Sequence, residues 1–588
     1  MTRARSAQQP LHPPRARTGA PRPAGGRALR AGVLAAVVLG LLLPIAAGLW
    51  ETLRAAFGHF PAIGATGPSL SPFAALLATP GLGQAVALSL WTGFAATALS
   101  LLLALGLCAV AHARLSGSRG ARLLAPFLAA PHAALAIGLA FTIAPSGWIA
   151  RVLAPLLGWD RPPDVALVGD PWGLALIAGL AIKEMPFLVL MLLSALTQIP
   201  LREAMAAGRS LGYGRGLVWM KVIVPQVWPL IRLPVMVVLA YSLSVVDMAL
   251  ILGPSNPPTL AVMLTRMFSD PDIFALLPAS AGALVQLTLV LGSFAALLAA
   301  ERVAGAIGLW WIRAGGRGLT AEPILRGAAG AAAALLALGA LAMASLVVWS
   351  VAFRWPWPAP LPESWSWRAW RTASGGWDSA VFNTLVLAGL TTAASLVLAI
   401  AWLEGEDRAR RGRAGWAEAL IYLPLLLPQI GFLYGLNVLF LRLGLRADLF
   451  AVAWAQALFV FPYVMITLSA PWRALDARLP RAAASLGAGP WRRLVAVKLP
   501  VLLAPMLTAA AVGVAVSVAQ YLPTLFMGAG RVATLTTEAV TLASGSDRRI
   551  AAAYASLQAA LPFAAYLAAF AIPALAFRHR RALLGGAA

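Results

Sequence analysis

The sequence predicts an all-α polytopic membrane protein, with about 12 transmembrane helices in two homologous six-helix halves. Three observations carry this. Hydrophobic residues make up 60% of the 588 positions and charged residues only 11%, with a mean hydropathy of +0.82, whereas about a quarter of the residues of a soluble chain are charged. Apolar runs long enough to cross a bilayer recur along the whole length. The later part of the chain also repeats the earlier part at a fixed offset.

A spanning helix needs about 20 apolar residues, because each backbone polar group must be satisfied within the segment. On that rule spans fall near 31–49, 84–112, 122–143, 172–196, 228–252 and 277–300, and again near 327–353, 378–402, 416–437, 448–470, 501–523 and 555–577. Residues 1–29 are rich in Arg, Pro and Ala and contain no acid, a composition that cannot bury enough apolar surface to fold alone. They are expected to form a disordered basic cytoplasmic tail. The first apolar run reads as an uncleaved helix, although Ala46-Ala47-Gly48 also suits removal of a signal peptide. The divisions that follow are a first half at 30–300, a cytoplasmic linker at 301–326, a second half at 327–580 and a short cytoplasmic tail at 581–588.

Twelve crossings return both termini to one side, and the basic residues say which. With the N-terminus inside, the segments 1–30, 113–122, 197–225, 301–326, 403–415, 471–498 and 578–588 hold 31 of the 45 Lys and Arg, as the positive-inside rule requires. The net charge of +24 is thereby explained without nucleic acid, since no soluble domain offers a basic face. Cys108 is the sole cysteine, so no internal disulfide forms and no metal site is organised by thiolates. Glu404 to Arg413 mixes acids with four arginines and reads as a solvated loop. On the outer side Trp355, Trp357, Trp365, Trp367, Trp370 and Trp377, interrupted by Pro356, Pro358 and Pro362, suit an interfacial belt or a docking surface for an external partner.

The repeat is most distinct at two basic, Gly-centred islands. Ala206-Ala207-Gly208-Arg209-Ser210-Leu211-Gly212 is followed after nine residues by Val222-Ile223-Val224-Pro225. Arg481-Ala482-Ala483-Ala484-Ser485-Leu486-Gly487 is followed after nine by Val497-Lys498-Leu499-Pro500. The same offset of 275 matches Leu193-Ser194-Ala195 to Leu468-Ser469-Ala470, Gly253 to Gly528 and Thr259-Leu260 to Thr534-Leu535, while Pro131 and Gly138 match Pro428 and Gly435 at a slightly larger one. Two halves of equal topology place a pseudo-two-fold axis along the membrane normal with a path between them. That is a transporter architecture.

The three lysines, Lys183, Lys221 and Lys498, all lie outside a Gly-x-x-x-x-Gly-Lys-Ser/Thr context, so the phosphate cradle of a P-loop ATPase is missing. No His-Glu-x-x-His, Gly-x-Ser-x-Gly or metal-ligand cluster appears either. If ATP drives transport, the motor is expected on a separate polypeptide. Within the membrane, Lys183 and Glu184 fall midway along the fourth span. Ionisable groups there cost roughly 2.5–3.5 kcal/mol each, so they face protein or water and become candidates for the path. As sequence neighbours they point about 100° apart, and Pro186 nearby is expected to kink or break the helix. Asp247 in the fifth span is a candidate for the same reason, as are Gln520 and, more weakly, Gln286, Gln456 and Gln558.

The islands resemble the EAA loop of binding-protein-dependent ABC importer permeases: Glu-Ala-Ala-x-x-x-Gly, nine residues, then an aliphatic residue, any residue, Leu and Pro. The spacing agrees in both halves, and each copy lies before the penultimate helix of its half. The pattern's glutamate is replaced by Ala206 and by Arg481, with Glu203 one turn upstream in the first copy. The resemblance spans nearly all of 30–580 and implies the type I importer permease fold. It also implies that Ala206, Ala207, Gly208, Ser210, Leu211, Gly212 and Pro225, with Arg481, Ala482, Ala483, Ser485, Leu486, Gly487 and Pro500, seat against ATPase subunits. Two halves in one polypeptide look similar to the fused permeases of the iron(III), thiamine and phosphonate group. Ser244 to Ala249, followed by Gly253-Pro254 and Pro257 to Val262, resembles the thiamine-like branch. The implied partners are two copies of an ABC ATPase, which would bind the ATP, and a periplasmic solute-binding protein. The implied location is the bacterial inner membrane.

Two other classes are alternatives. A twelve-helix secondary transporter would couple an ion gradient through Glu184 or Asp247, leaving the matched islands without a purpose. A membrane-embedded enzyme would need His, Asp or Glu clustered at one interface, and the sequence shows no such cluster.

Overall fold

The computed structural model describes residues 24–115, 118–317, 321–372, 374–409, 415–545 and 547–578. Most of the expected N-terminal tail, the C-terminal 579–588 and residues 116–117, 318–320, 373, 410–414 and 546 lie outside the described residues. Among the described residues, ten helical spans are long and apolar enough to cross a membrane: Ala28–Ala56, Leu82–Leu115, His132–Leu157, Leu174–Leu196, Arg215–Ser244, Ile273–Arg313, Ala321–Val351, Trp377–Ala409, Leu449–Arg473 and Arg548–Ala576. Two bent pairs, Ala417–Leu426 with Ile430–Arg442 and Pro490–Val501 with Leu503–Ala519, turn by 97° and 77° and raise the total to 12 if each counts as one span. The chain is an all-α polytopic membrane protein, and its only strands among the described residues are a short hairpin, Ala352–Arg354 with Ser364–Trp365.

The spans expected at 122–143 and 416–437 are each two helices. Ser118–Ala129 stops before His132–Ile143, and Gly415–Leu426 stops before Ile430–Arg442. The cause is shared. A residue that precedes proline is pushed out of the helical region, and Ala130-Pro131 and Leu427-Pro428 occupy the two gaps. The span expected at 228–252 also breaks. Val224–Ser244 ends at Val245 (φ −64°, ψ 136°) and Asp247–Leu252 begins after Val246 (φ −113°, ψ −52°). Its repeat partner does the same at Gln520 (φ −72°, ψ 109°) and Tyr521 (φ −92°, ψ −63°). By contrast Leu174–Leu196 runs through Pro186 without a break; neighbouring helices hold a membrane helix together across a proline, and Ile182, Met185 and Pro186 are all buried.

Each half lends its first helix to the other. Leu43–Ala56 packs on Ile430–Arg442, and Ala321–Val351 packs on Leu82–Leu115 and His132–Ile143. The crossings are backbone to backbone, the close approach that small residues permit between membrane helices. A Cβ on Gly435 would lie 2.0 Å from the Gly48 carbonyl oxygen, and one on Gly138 would lie 2.3 Å from that of Ala342. Two short helices, Leu260–Phe268 and Leu535–Ala543, are fixed in the same way in both halves. The Leu260 amide donates to Ser89 Oγ at 2.8 Å, and the Leu535 amide to Thr384 Oγ1 at 3.0 Å.

The Trp-Pro segment does more than mark a membrane boundary. Trp355 and Trp357 flank the guanidinium of Arg151, 5.0 and 5.6 Å from their ring centres. Arg151 donates to the Pro356 carbonyl at 2.8 Å, Trp357 to that of Trp159 at 3.1 Å, and Trp148 to that of Pro360 at 3.1 Å. These bonds tie the two halves together at one end of the bundle, while Trp365 and Trp367 stay exposed.

Candidate functional site

A cavity of about 140 Å³ lies between the halves where the broken helices meet. His132, Glu184, Tyr241, Ser244, Val245, Val246 and Asp247 line it from the first half, and Gln429, Phe459, Tyr463, Val516, Ala519, Gln520, Tyr521 and Leu522 from the second. The lining obeys the repeat. An offset of 275 pairs Glu184 with Phe459, Tyr241 with Val516, Ser244 with Ala519, Val245 with Gln520, Val246 with Tyr521 and Asp247 with Leu522, while His132 pairs with Gln429 through the matched prolines. The pseudo-two-fold axis therefore passes through the cavity. Irregular backbone at membrane depth is tolerated where it lines a cavity, and the breaks at 245–246 and 520–521 fall on the cavity wall.

Of the four path candidates, Glu184, Asp247 and Gln520 line this space and Lys183 does not. The Lys183 ammonium donates to the carbonyls of Phe127, Leu128 and Ala130 at 3.3, 3.1 and 2.6 Å. It thus satisfies the open C-terminal end of Ser118–Ala129, where a cation is favoured by the exposed carbonyls and the helix dipole. Glu184 sits 3.9 Å from His132 Nε2, whose ring lies against Tyr241 with centres 4.8 Å apart. The weaker candidates serve the breaks. Gln286 donates to the Leu243 carbonyl at 2.9 Å. The repeat partner of that carbonyl, on Val518, accepts from Thr536, which in turn accepts from Gln558 at 2.6 Å. Gln456 joins Ser517 at 2.6 Å and Thr524 at 3.1 Å across the second break. Sequence reasoning missed His132, Gln429, Tyr241, Tyr463 and Tyr521; the matched Pro131 and Pro428 were the available signal for the first two.

The two islands fold alike at the opposite end of the helices that reach the cavity. Leu201–Ser210 and Arg478–Ser485 are short helices, each closed by a glycine in the left-handed region: Gly212 at φ +78° and Gly487 at φ +81°. The Tyr213 amide donates to the Gly208 carbonyl at 3.1 Å and the Gly212 amide to Arg209 at 3.0 Å; in the second copy Ala488 donates to Ala483 at 3.0 Å and Gly487 to Ala484 at 3.0 Å. This is the paired bonding of a Schellman turn, which needs a positive φ at the residue after the cap. Ser210 and Ser485 each bond back three residues, to Ala207 and Ala482, at 2.8 Å. Leu211 and Leu486, beside the glycines, are 58% and 87% exposed. Gly208 lies buried against Val218. Pro225 and Pro500 stand in the first turns of the helical pieces that follow.

Beyond the turns the copies are anchored differently. Lys221 donates to the carbonyls of Trp311 and Gly316 at 3.3 and 3.0 Å, tying the first copy to the end of the sixth span. Lys498 pairs with Glu404 at 2.6 Å and Asp407 at 2.5 Å, and Glu404 also pairs with Arg408 at 2.7 Å. Glu404 is buried near the end of Ser374–Ala409, so the stretch read as a solvated loop begins as a helix that grips the second copy.

Two pseudo-symmetric halves around a polar cavity, each with an exposed helical turn at one end, define a membrane transport permease. The relatives make it specific. The chain is 34% identical over 517 residues to the inner membrane ABC transporter permease YnjC of Escherichia coli strain K12, covering 86% of this chain and 90% of that protein. It is also 32% identical over 166 residues, 26% of this chain and 72% of the relative, to the molybdenum transport system permease ModB of Azotobacter vinelandii. No family model matches the chain. The chain belongs to the ABC transporter permeases of the inner membrane. It is a transporter subunit and not a catalytic enzyme, and the ion-gradient alternative gives way to that membership.

Proposed function

We propose that the chain forms the solute path of an ATP-driven importer and is worked from the cytoplasm through Leu201–Ser210 and Arg478–Ser485. Two copies of an ABC ATPase, which bind the ATP, seat on these helices, a periplasmic binding protein delivers solute outside, and both termini are cytoplasmic. The observation that carries this reading is the repetition of one Schellman turn, bond for bond, beneath an exposed leucine in each half. A leucine exposed at the same position of the same turn in both halves suits burial in a partner that presents two equivalent grooves. Each turn leads into a helix that ends at the cavity, the Val224–Ser244 helix being roughly 30 Å long at 1.5 Å per residue, so movement of the turn is delivered to the cavity wall. The carried-over solutes are a thiamine-like compound, iron(III) or a phosphonate.

The test is capture of an ABC ATPase encoded beside this chain. Replacing Gly212 and Gly487 together by valine abolishes capture, because a β-branched residue cannot take the left-handed conformation cheaply; replacing both by asparagine, which tolerates it, retains capture. Loss with both pairs, or with neither, counts against the turns as the docking elements. Solute uptake by the chain alone in ATP-free vesicles would overturn the importer reading.

A further inference from the structure

The cavity is chemically lopsided in a way that its two-fold geometry does not require. The first half supplies two carboxylates, Glu184 and Asp247, and the second half answers them with Phe459 and Leu522. Tyr241, Tyr463 and Tyr521 complete an aromatic wall. No Lys or Arg lines the space. The one ammonium nearby, on Lys183, spends its three donors on backbone carbonyls. Gln520 adds a separate observation: it is only 7% exposed, it lines the cavity, and its Oε1 has no hydrogen-bond partner among the described residues. A buried acceptor left unpaired is costly, as are two buried carboxylates that face one cavity with only the His132 imidazole, 3.9 Å from Glu184, as a basic neighbour on its wall. The charge cost is relieved by a positively charged ligand that stacks on the aromatic faces, and the orphaned acceptor by a hydrogen-bond donor on the same ligand.

We propose that this cavity binds a compact organic cation, with Glu184 and Asp247 supplying charge, the tyrosines and Phe459 the aromatic faces, and Gln520 an acceptor. The proposal rests on the reading of the cavity as the solute path. It disfavours a phosphonate, whose anionic head would meet two carboxylates and no Lys or Arg, the histidine on the wall, His132, already lying 3.9 Å from Glu184. It also disfavours iron(III), because no group of three or more His, Cys, Asp or Glu able to hold a metal occurs among the described residues. The volume of about 140 Å³ is close to that of an engineered cavity that accepts benzene, so the bound group is a small ring or an alkylammonium head.

Full-length permease in nanodiscs, incubated with radiolabelled tetramethylammonium or methylphosphonate, tests this. Saturable retention of tetramethylammonium is expected, weakened at least about tenfold in a Glu184→Gln/Asp247→Asn double variant, with methylphosphonate held no better than by empty nanodiscs. Undiminished retention by the variant, or saturable methylphosphonate binding, overturns the proposal. A second measurement uses wild-type protein only: tetramethylammonium slows carbodiimide labelling of Glu184 and Asp247, read by mass spectrometry, and leaves the exposed Asp164 unaffected. Labelling unchanged by the cation overturns the proposal too. ATPase capture is read on the same samples. Absence of cation binding with capture intact removes the cavity inference alone, and absence of capture with cation binding intact removes the importer reading alone.

Discussion

Lys183 closes a helix end inside the membrane by donating to three carbonyls, so its ammonium is worth more to the fold than to the solute. Lys183→Met leaves those carbonyls without their donor. We expect a loss of roughly 1.5–3 kcal/mol in stability, the range for hydrogen bonds to a charged group, seen as a lowered midpoint of thermal unfolding in detergent. The neighbouring Glu184 faces the cavity, and Glu184→Gln should leave that midpoint nearly unchanged. Equal destabilisation by both substitutions would contradict this division of labour. Adjacency in sequence foretold that the two side chains diverge; it could not say which one meets the cavity, because the carbonyls that receive Lys183 lie more than fifty residues upstream.

Among the elements, the two Schellman turns proposed to dock the ATPase share backbone geometry and differ in what surrounds them. Leu486 is the more exposed of the two leucines, and its helix is held by an ion cluster around Lys498 where the first copy is held by carbonyls around Lys221. The helix leading from the second turn also bends by 77° at Leu502, where its counterpart runs straight on. Leu211→Asp and Leu486→Asp should each weaken ATPase binding, since a buried leucine contributes about 1.5–3 kcal/mol, with the larger effect at Leu486. Equal titration curves for the two variants would remove the asymmetry. The islands were legible in sequence because a Schellman turn imposes glycine at one position and the repeat shows it twice. The helix breaks were half legible: Pro131 and Pro428 announce two of them, whereas Val245-Val246 and Gln520-Tyr521 contain no breaker, and only packing around the cavity sets them.

For the whole molecule, the exchanged first helices make the halves one body. The Gly48 and Gly435 backbones touch, so Gly435→Leu must push apart the contact between the first helix and the opposite half. The expected cost is at least about 1–3 kcal/mol, as for overpacking a tight core, with loss of monodisperse protein in detergent. Gly389→Ala, in a helical site with open space around it, should be neutral or stabilising by up to about 1 kcal/mol. A Gly435→Leu protein as stable as the parent would contradict the crossing. The number and order of spans could be read from hydropathy and the repeat, while the exchange could not, since two glycines almost 390 positions apart carry no joint signal in one sequence.

Whether a separate ATPase grips this chain at two equivalent turns is decided by placing a photo-crosslinking amino acid at Leu211 or at Leu486 and irradiating the complex purified with its ATPase. Adducts to the ATPase are expected from both positions, and none from Leu567, an exposed residue within the last span. An intact complex that yields no ATPase adduct from either turn would contradict the account.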